Sequence, residues 1–138
     1  MKQTIISSFL LLSVAYGSFA QTVDTSNPAF KARAKTAIEE VYKGYPEYMT
    51  PEHIQRYEEK LSRVEIKQQP AKAQENYPLL SSIILKNKYN PALTREYGNN
   101  FNPDTFNALK YFFDFNAKQE VIYRVDDSPY IIVIHPKQ

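Results

Sequence analysis

The last thirty residues constrain this chain most. Three runs, 109–115 (Leu-Lys-Tyr-Phe-Phe-Asp-Phe), 120–125 (Glu-Val-Ile-Tyr-Arg-Val) and 130–135 (Tyr-Ile-Ile-Val-Ile-His), are rich in β-branched and aromatic residues. The breaks between them, Asn116-Ala117-Lys118-Gln119 and Asp126-Asp127-Ser128-Pro129, are turn-like. Branched and aromatic side chains fit a pleated surface, and Asn, Asp, Ser and Pro turn the chain. The pattern predicts a three-stranded antiparallel meander with 120–125 in the middle.

Setting Val125 against Tyr130 and Phe115 against Glu120 sorts the side chains by the two-residue strand period. One face carries Phe112, Asp114, Val121, Tyr123, Val125, Tyr130, Ile132 and Ile134. The other carries Leu109, Tyr111, Phe113, Phe115, Ile122, Arg124, Ile131, Val133 and His135. Neither face alternates with polar residues as a solvated one does, so both require cover. Arg124 falls opposite Tyr111, either as a cation resting on that ring or as an anchor for an anion in a cleft. The last strand, Tyr130–Ile134, has no charge and lies at the edge of this arrangement. Edges are ordinarily blunted by lysine, proline or a bulge, so a bare one invites a partner strand. Tyr111, Arg124, Tyr130, Ile132 and Ile134 are therefore the candidate binding residues.

Upstream, two helices are legible. Asn27-Pro28 is a cap-then-proline start, and Phe30, Ala34, Ala37, Ile38, Val41, Tyr42 and Tyr45 trace one stripe. Gly44 supplies a left-handed stop and Pro46 forbids continuation. Thr50-Pro51 opens a second helix, with Ile54, Tyr57, Leu61 and Val64 on its stripe and an end expected near Ile66. The short link between them predicts an antiparallel hairpin. Residues 67–78 read as loop. Leu79–Leu85 has an ambiguous period, and Asn90-Pro91 and Asn102-Pro103 predict brief helical turns near 92–96 and 104–108. The fold class is thus α+β: an N-terminal helical hairpin packed on a C-terminal three-stranded antiparallel meander. The hairpin covers one face of the sheet; Leu79–Leu85 or another protein must cover the other.

The chain's start has a different character. Lys2 is the only charge before Asp24, and Ile5, Ile6, Phe9, Leu10, Leu11, Leu12 and Val14 form a short apolar core. Ser18 and Ala20 then fit a small-x-small cleavage pattern. The run is shorter than the ~20 residues a bilayer span requires. Residues 1–20 read as a cleavable signal peptide, 21–27 as a mobile N-terminal segment and 28–138 as a single small α+β domain with no membrane span after cleavage. The expected location is periplasmic or secreted. The chain has no cysteine, so an exported domain of this kind rests on packing, for which 11 Tyr and 8 Phe are available.

The string Phe106-Asn107-Ala108-Leu109-Lys110-Tyr111, then Tyr123-Arg124-Val125-Asp126 and the closing Tyr130 to Pro136, resembles small uncharacterised exported proteins of the Bacteroidota type. The resemblance covers the C-terminal quarter. It implies an envelope location and no activity.

Chemical signals are sparse. Only His53 and His135 occur, without paired-histidine spacing, so no metal site is expected. With 3 Gly in the whole chain, neither a glycine-flanked nucleophile elbow nor a phosphate loop can be written. Glu39-Glu40 and Glu58-Glu59 are helix neighbours pointing about 100° apart, and Asp126-Asp127 sits in a turn. No catalytic residue and no cofactor are expected. The net charge of +2 argues for no nucleic-acid partner. The reading favoured is a non-catalytic binding module of the envelope, engaging a protein partner or a second copy of itself through the C-terminal edge strand. The alternative is binding of a glycan or peptidoglycan fragment through Tyr42, Tyr45, Tyr48, Tyr77, Tyr89 and Tyr97. A small hydrolase ranks third.

Overall fold

The computed structural model describes residues 23–74 and 76–138. The expected signal peptide and its expected cleavage point lie outside the described residues, as do Gln21 and Thr22. The described chain opens with a turn in which Asp24 accepts from the Ser26 amide at 3.0 Å and the Ser26 hydroxyl at 2.6 Å.

Helix α1 spans Pro28–Tyr42 and is capped by Asn27, whose side-chain oxygen accepts from the Ala29 and Phe30 amides. Its buried stripe is Ala34, Ile38, Val41 and Tyr42, as the periodicity predicts. It stops through two successive left-handed residues, Lys43 (φ 52) and Gly44 (φ 72), so the turn begins one residue before the glycine. Helix α2 spans Pro51–Ser62 under a Thr50 cap and packs on α1.

The expectation that α2 runs to Ile66 is wrong. Arg63 donates its amide to Lys60, and Val64–Gln68 leaves the helix as strand β1. The reason is long-range pairing. Val64 and Ile66 alternate with Glu65 and Lys67, and the extended form matches all five residues to the last strand, Val64 opposite Ile134 through Gln68 opposite Tyr130. After β1 come a short helix α3 (Ala71–Gln74) and a long irregular connection. Strands β2 (Val121–Arg124) and β3 (Tyr130–Ile134) follow, and the sheet order is β1-β3-β2, antiparallel throughout.

The α+β class, with N-terminal helices and a three-stranded antiparallel sheet, is therefore as expected, but the strand set differs. Residues 109–115 form no strand of the sheet. A 3₁₀ turn occupies Ala108–Lys110, and Tyr111 makes an isolated bridge to Leu85. The β2–β3 hairpin keeps the predicted register, with the Val125 amide donating to Tyr130 at 3.0 Å. Because β1 joins on the far side, Tyr130–Ile134 is the central strand and not an edge. A charge-free strand belongs where both of its edges are paired, since no edge there needs guarding.

Val125, Ile132 and Ile134 pack with Tyr123, Leu80, Phe101, Tyr111, Phe113 and Phe115 in one buried cluster. Tyr111, Phe113 and Phe115 thus lie against the face opposite to the one expected. Leu80 joins that same cluster, so its segment does not cover the second side of the sheet. On that second side Ile131 and Val133, both buried, are flanked across the ladder by Lys67 and Arg124 and by Glu65 and Ile122. The smaller cluster joins Ile38, Val41 and Tyr42 to Tyr57, Leu93 and Leu109. Asn-Pro signals at 90 and 102 yield turns rather than helices: Asn90 and Asn102 accept from the Ala92 and Asp104 amides at 3.1 and 2.9 Å. Arg63 locks the seam between halves, donating to Glu59 and to the carbonyls of Phe115 (2.9 Å) and His135 (3.0 Å).

Candidate functional site

The predicted binding residues do not converge on a surface. Ile132 and Ile134 are inside the core. Tyr111 is also fully buried, its hydroxyl accepting from the Glu96 amide at 3.0 Å. Tyr130 is half-buried against Phe101, with ring centroids 5.2 Å apart. Arg124 sits on the second face opposite Ile131, not opposite Tyr111, and its amide donates to the Pro78 carbonyl at 2.9 Å. Its Nε has no hydrogen-bond partner among the described residues, and the cation-on-ring contacts there belong to Lys60, Arg63, Lys86 and Lys88 instead.

The free edge is elsewhere. Two hydrogen bonds set the phase of the β1–β3 ladder: His135 amide to Arg63 carbonyl at 2.8 Å, and Gln69 amide to Pro129 carbonyl at 2.8 Å. In an antiparallel ladder, bonded pairs alternate along the strand. Residues 63, 65, 67 and 69 therefore exchange bonds with β3, while the N–H and C=O groups of Val64, Ile66 and Gln68 point away from it. Among the described residues no backbone group pairs with them. The opposite edge, β2, differs: Pro78 and Leu79 close its end at Arg124.

A groove of about 660 Å³ runs beside the β1 edge. Its floor is apolar: Phe30, Ala34 and Ala37 from α1, Leu61 from α2, Val64 and Ile66 from β1, and Phe106. Arg33, Glu40 and Asp104 line its polar parts. Grooves of this volume, apolar with a few polar groups, are the usual form of a binding site. Sequence reasoning missed this site because Val64 and Ile66 satisfy both a helical stripe and a two-residue alternation. The available signal was the strict order Val-Glu-Ile-Lys over 64–67.

A second feature assembles some of the predicted tyrosines. Tyr42 and Tyr48 stack at 4.2 Å with planes 13° apart, and Tyr45 meets Tyr89 edge-on at 4.9 Å. Tyr57 donates to the Tyr42 hydroxyl at 2.9 Å, and the hydroxyls of Tyr48 and Tyr89 lie 2.6 Å apart. Burial, reinforced by the Tyr57 hydrogen bond, pushes the Tyr42 phenol well up. The shared hydrogen bond with Tyr89, then desolvation, pushes Tyr48 up to about 12. Tyr77 and Tyr97 take no part in these ring contacts. His53 contacts the Tyr48 and Tyr57 rings, and its Nδ1 lies 2.9 Å from the Thr50 hydroxyl. His135 lies between Glu65 (2.8 Å) and Glu120 (3.0 Å). Neither histidine has a serine among its described partners, so the convergence a hydrolase requires is not formed there. Among the described residues no cluster could hold a metal ion, and no helix is long and apolar enough to cross a membrane.

No family model, no curated protein and no solved structure matches this chain.

Proposed function

We propose that this protein is an exported cell-envelope domain that works by binding rather than catalysis, taking a partner's strand onto the edge of β1. The carrying observation is the row of outward backbone groups at Val64, Ile66 and Gln68 beside the apolar groove. Strand addition draws affinity from main-chain hydrogen bonds and specificity from pockets for alternate side chains, and this edge offers both. The export segment 1–20, with cleavage near Ala20, supports a periplasmic or secreted location. So does the resemblance of the C-terminal quarter to exported Bacteroidota-type proteins.

The test is a photo-cross-linking residue at Gln68 in producing cells. The expected product is a covalent adduct to a polypeptide, lost when Ile66→Pro removes the central outward N–H. The Ile66 amide bonds nothing within the described ladder, so proline removes no bond of the folded sheet. No adduct from a folded domain overturns the reading.

A second reading rests on the tyrosine cluster, where Tyr45 is 44% exposed and Lys88 lies 5.3 Å over the Tyr89 ring. Such a surface suits a glycan face. Against it, the hydroxyls of Tyr42, Tyr48, Tyr57 and Tyr89 already bond one another. Unchanged tyrosine fluorescence and melting temperature across a panel of glycan and peptidoglycan fragments removes this reading.

A further inference from the structure

We infer that the strand taken by the β1 edge is the β1 edge of a second copy, in an antiparallel pairing centred on Ile66. The inference rests on the strand-addition reading above and names its partner.

The argument is one of register. Along β1 it is residues 64, 66 and 68 that present outward N–H and C=O groups, so a partner strand on this edge must oppose them with residues that do the same. Two copies of β1 related by a two-fold axis meet this condition at two or more residues of each strand in three registers. Centred on Glu65, the pairing sets Glu65 against Glu65. Centred on Lys67, it sets Lys67 against Lys67. Centred on Ile66, it sets Val64 against Gln68, Ile66 against Ile66, and Glu65 against Lys67 twice over. Like charges directly opposite one another destabilise a sheet, and opposite charges stabilise it. Charge therefore selects one register of the three. Its Glu65–Lys67 pairs are non-hydrogen-bonded ones, the type with the closest side chains.

Three further observations agree. Lys67 has no ion-pair partner among the described residues. A lysine on an edge ordinarily repels strand addition, and this register gives it Glu65, whose Oε1 holds His135 and whose other carboxylate oxygen bonds nothing among the described residues. The two-fold axis stands perpendicular to the sheet, so Val64 and Ile66 of both copies fall on the face that carries the groove. The interface is isologous and closes on itself, yielding a dimer with a continuous six-stranded sheet rather than a fibre.

The protein purified from producing cells is examined by sedimentation over a range of concentrations. A monomer–dimer equilibrium is expected. Glu65→Lys alone and Lys67→Glu alone each raise the dissociation constant roughly tenfold, because each sets like charges opposite. Mixing the two variants restores dimerisation, because the mixed dimer regains both opposite-charge pairs. A wild-type protein that stays monomeric, or a mixture that fails to associate, overturns the proposal. Should either charge variant fail to fold, oxidation of a Glu65→Cys and Lys67→Cys mixture decides. The natural chain has no cysteine to interfere, so a disulfide-linked mixed dimer supports the register and its absence overturns it. A monomer that nevertheless yields the Ile66→Pro-sensitive adduct at Gln68 sinks self-pairing alone and leaves strand addition by a foreign partner standing.

Discussion

The sheet core is buried and the tyrosine-rich end of the helical hairpin only partly so, and the two are held differently. Around β3 the packing is hydrocarbon: Val125, Ile132 and Ile134 meet Leu80, Phe113 and Phe115, and the backbone ladders satisfy the polar groups. Around Tyr42 the packing is aromatic and half polar, and hydroxyls answer hydroxyls. A hydrocarbon core punishes lost volume, because the cavity left behind collapses only in part. A phenol cluster punishes lost hydrogen bonds and sensitises the fold to pH.

The largest effect should come from Ile132→Ala, at the centre of the sheet core. A loss of about 2–5 kcal/mol is expected in urea unfolding. A loss below about 1 kcal/mol would break the comparison, since it would mean this core is loosely packed. Arg63→Met comes next. It removes the donors that join α2 to the Phe115 and His135 carbonyls, and a loss of about 2 kcal/mol is expected, partly restored by no lysine because Lys lacks the guanidinium fork. Amide exchange should show the β1–β3 end near His135 opening first.

Tyr57→Phe should cost about 1 kcal/mol, because it leaves the buried Tyr42 hydroxyl without its donor. The smallest effect at neutral pH belongs to Tyr48→Phe, whose signature is alkaline. Tyr42 and Tyr48 hold their protons more tightly folded than unfolded. Their contribution is complete below about pH 10 and is lost as pH rises toward and through about 12 for Tyr48. Burial also raises Tyr111 and Tyr123 in the sheet half, so alkaline destabilisation should persist in Tyr48→Phe but rise less steeply between those limits. Thermal melts across that window, with absorbance following the phenolates, check this. An unchanged slope would assign the alkaline limb to the sheet half.

Legibility in the sequence followed the range of the interactions. Both helix starts were readable because Asn27-Pro28 and Thr50-Pro51 act locally, through side-chain oxygens on amides two or three residues away. The β2–β3 hairpin register was readable because a short turn fixes it. Strand β1 was not, since only pairing with the distant residues 130–134 tells the alternation Val64, Ile66 from the last turn of a helix. That single miss hid the site: once β1 is a strand, β3 moves to the centre and the open edge moves with it. Residues 109–115 misled for the complementary reason. Their aromatic rings serve the core from a 3₁₀ turn and extended chain, needing the burial of a strand but not its ladder.

The central place of β3 also orders events during synthesis. Strand β3 is the last of the three in chain order and the one on which both others pair, so a nascent chain that has not yet reached residue 134 cannot complete the sheet. Its aromatic core then has nothing to close against. Such a chain stays open until β3 emerges, which makes closure of the sheet a late and concerted event rather than a stepwise one.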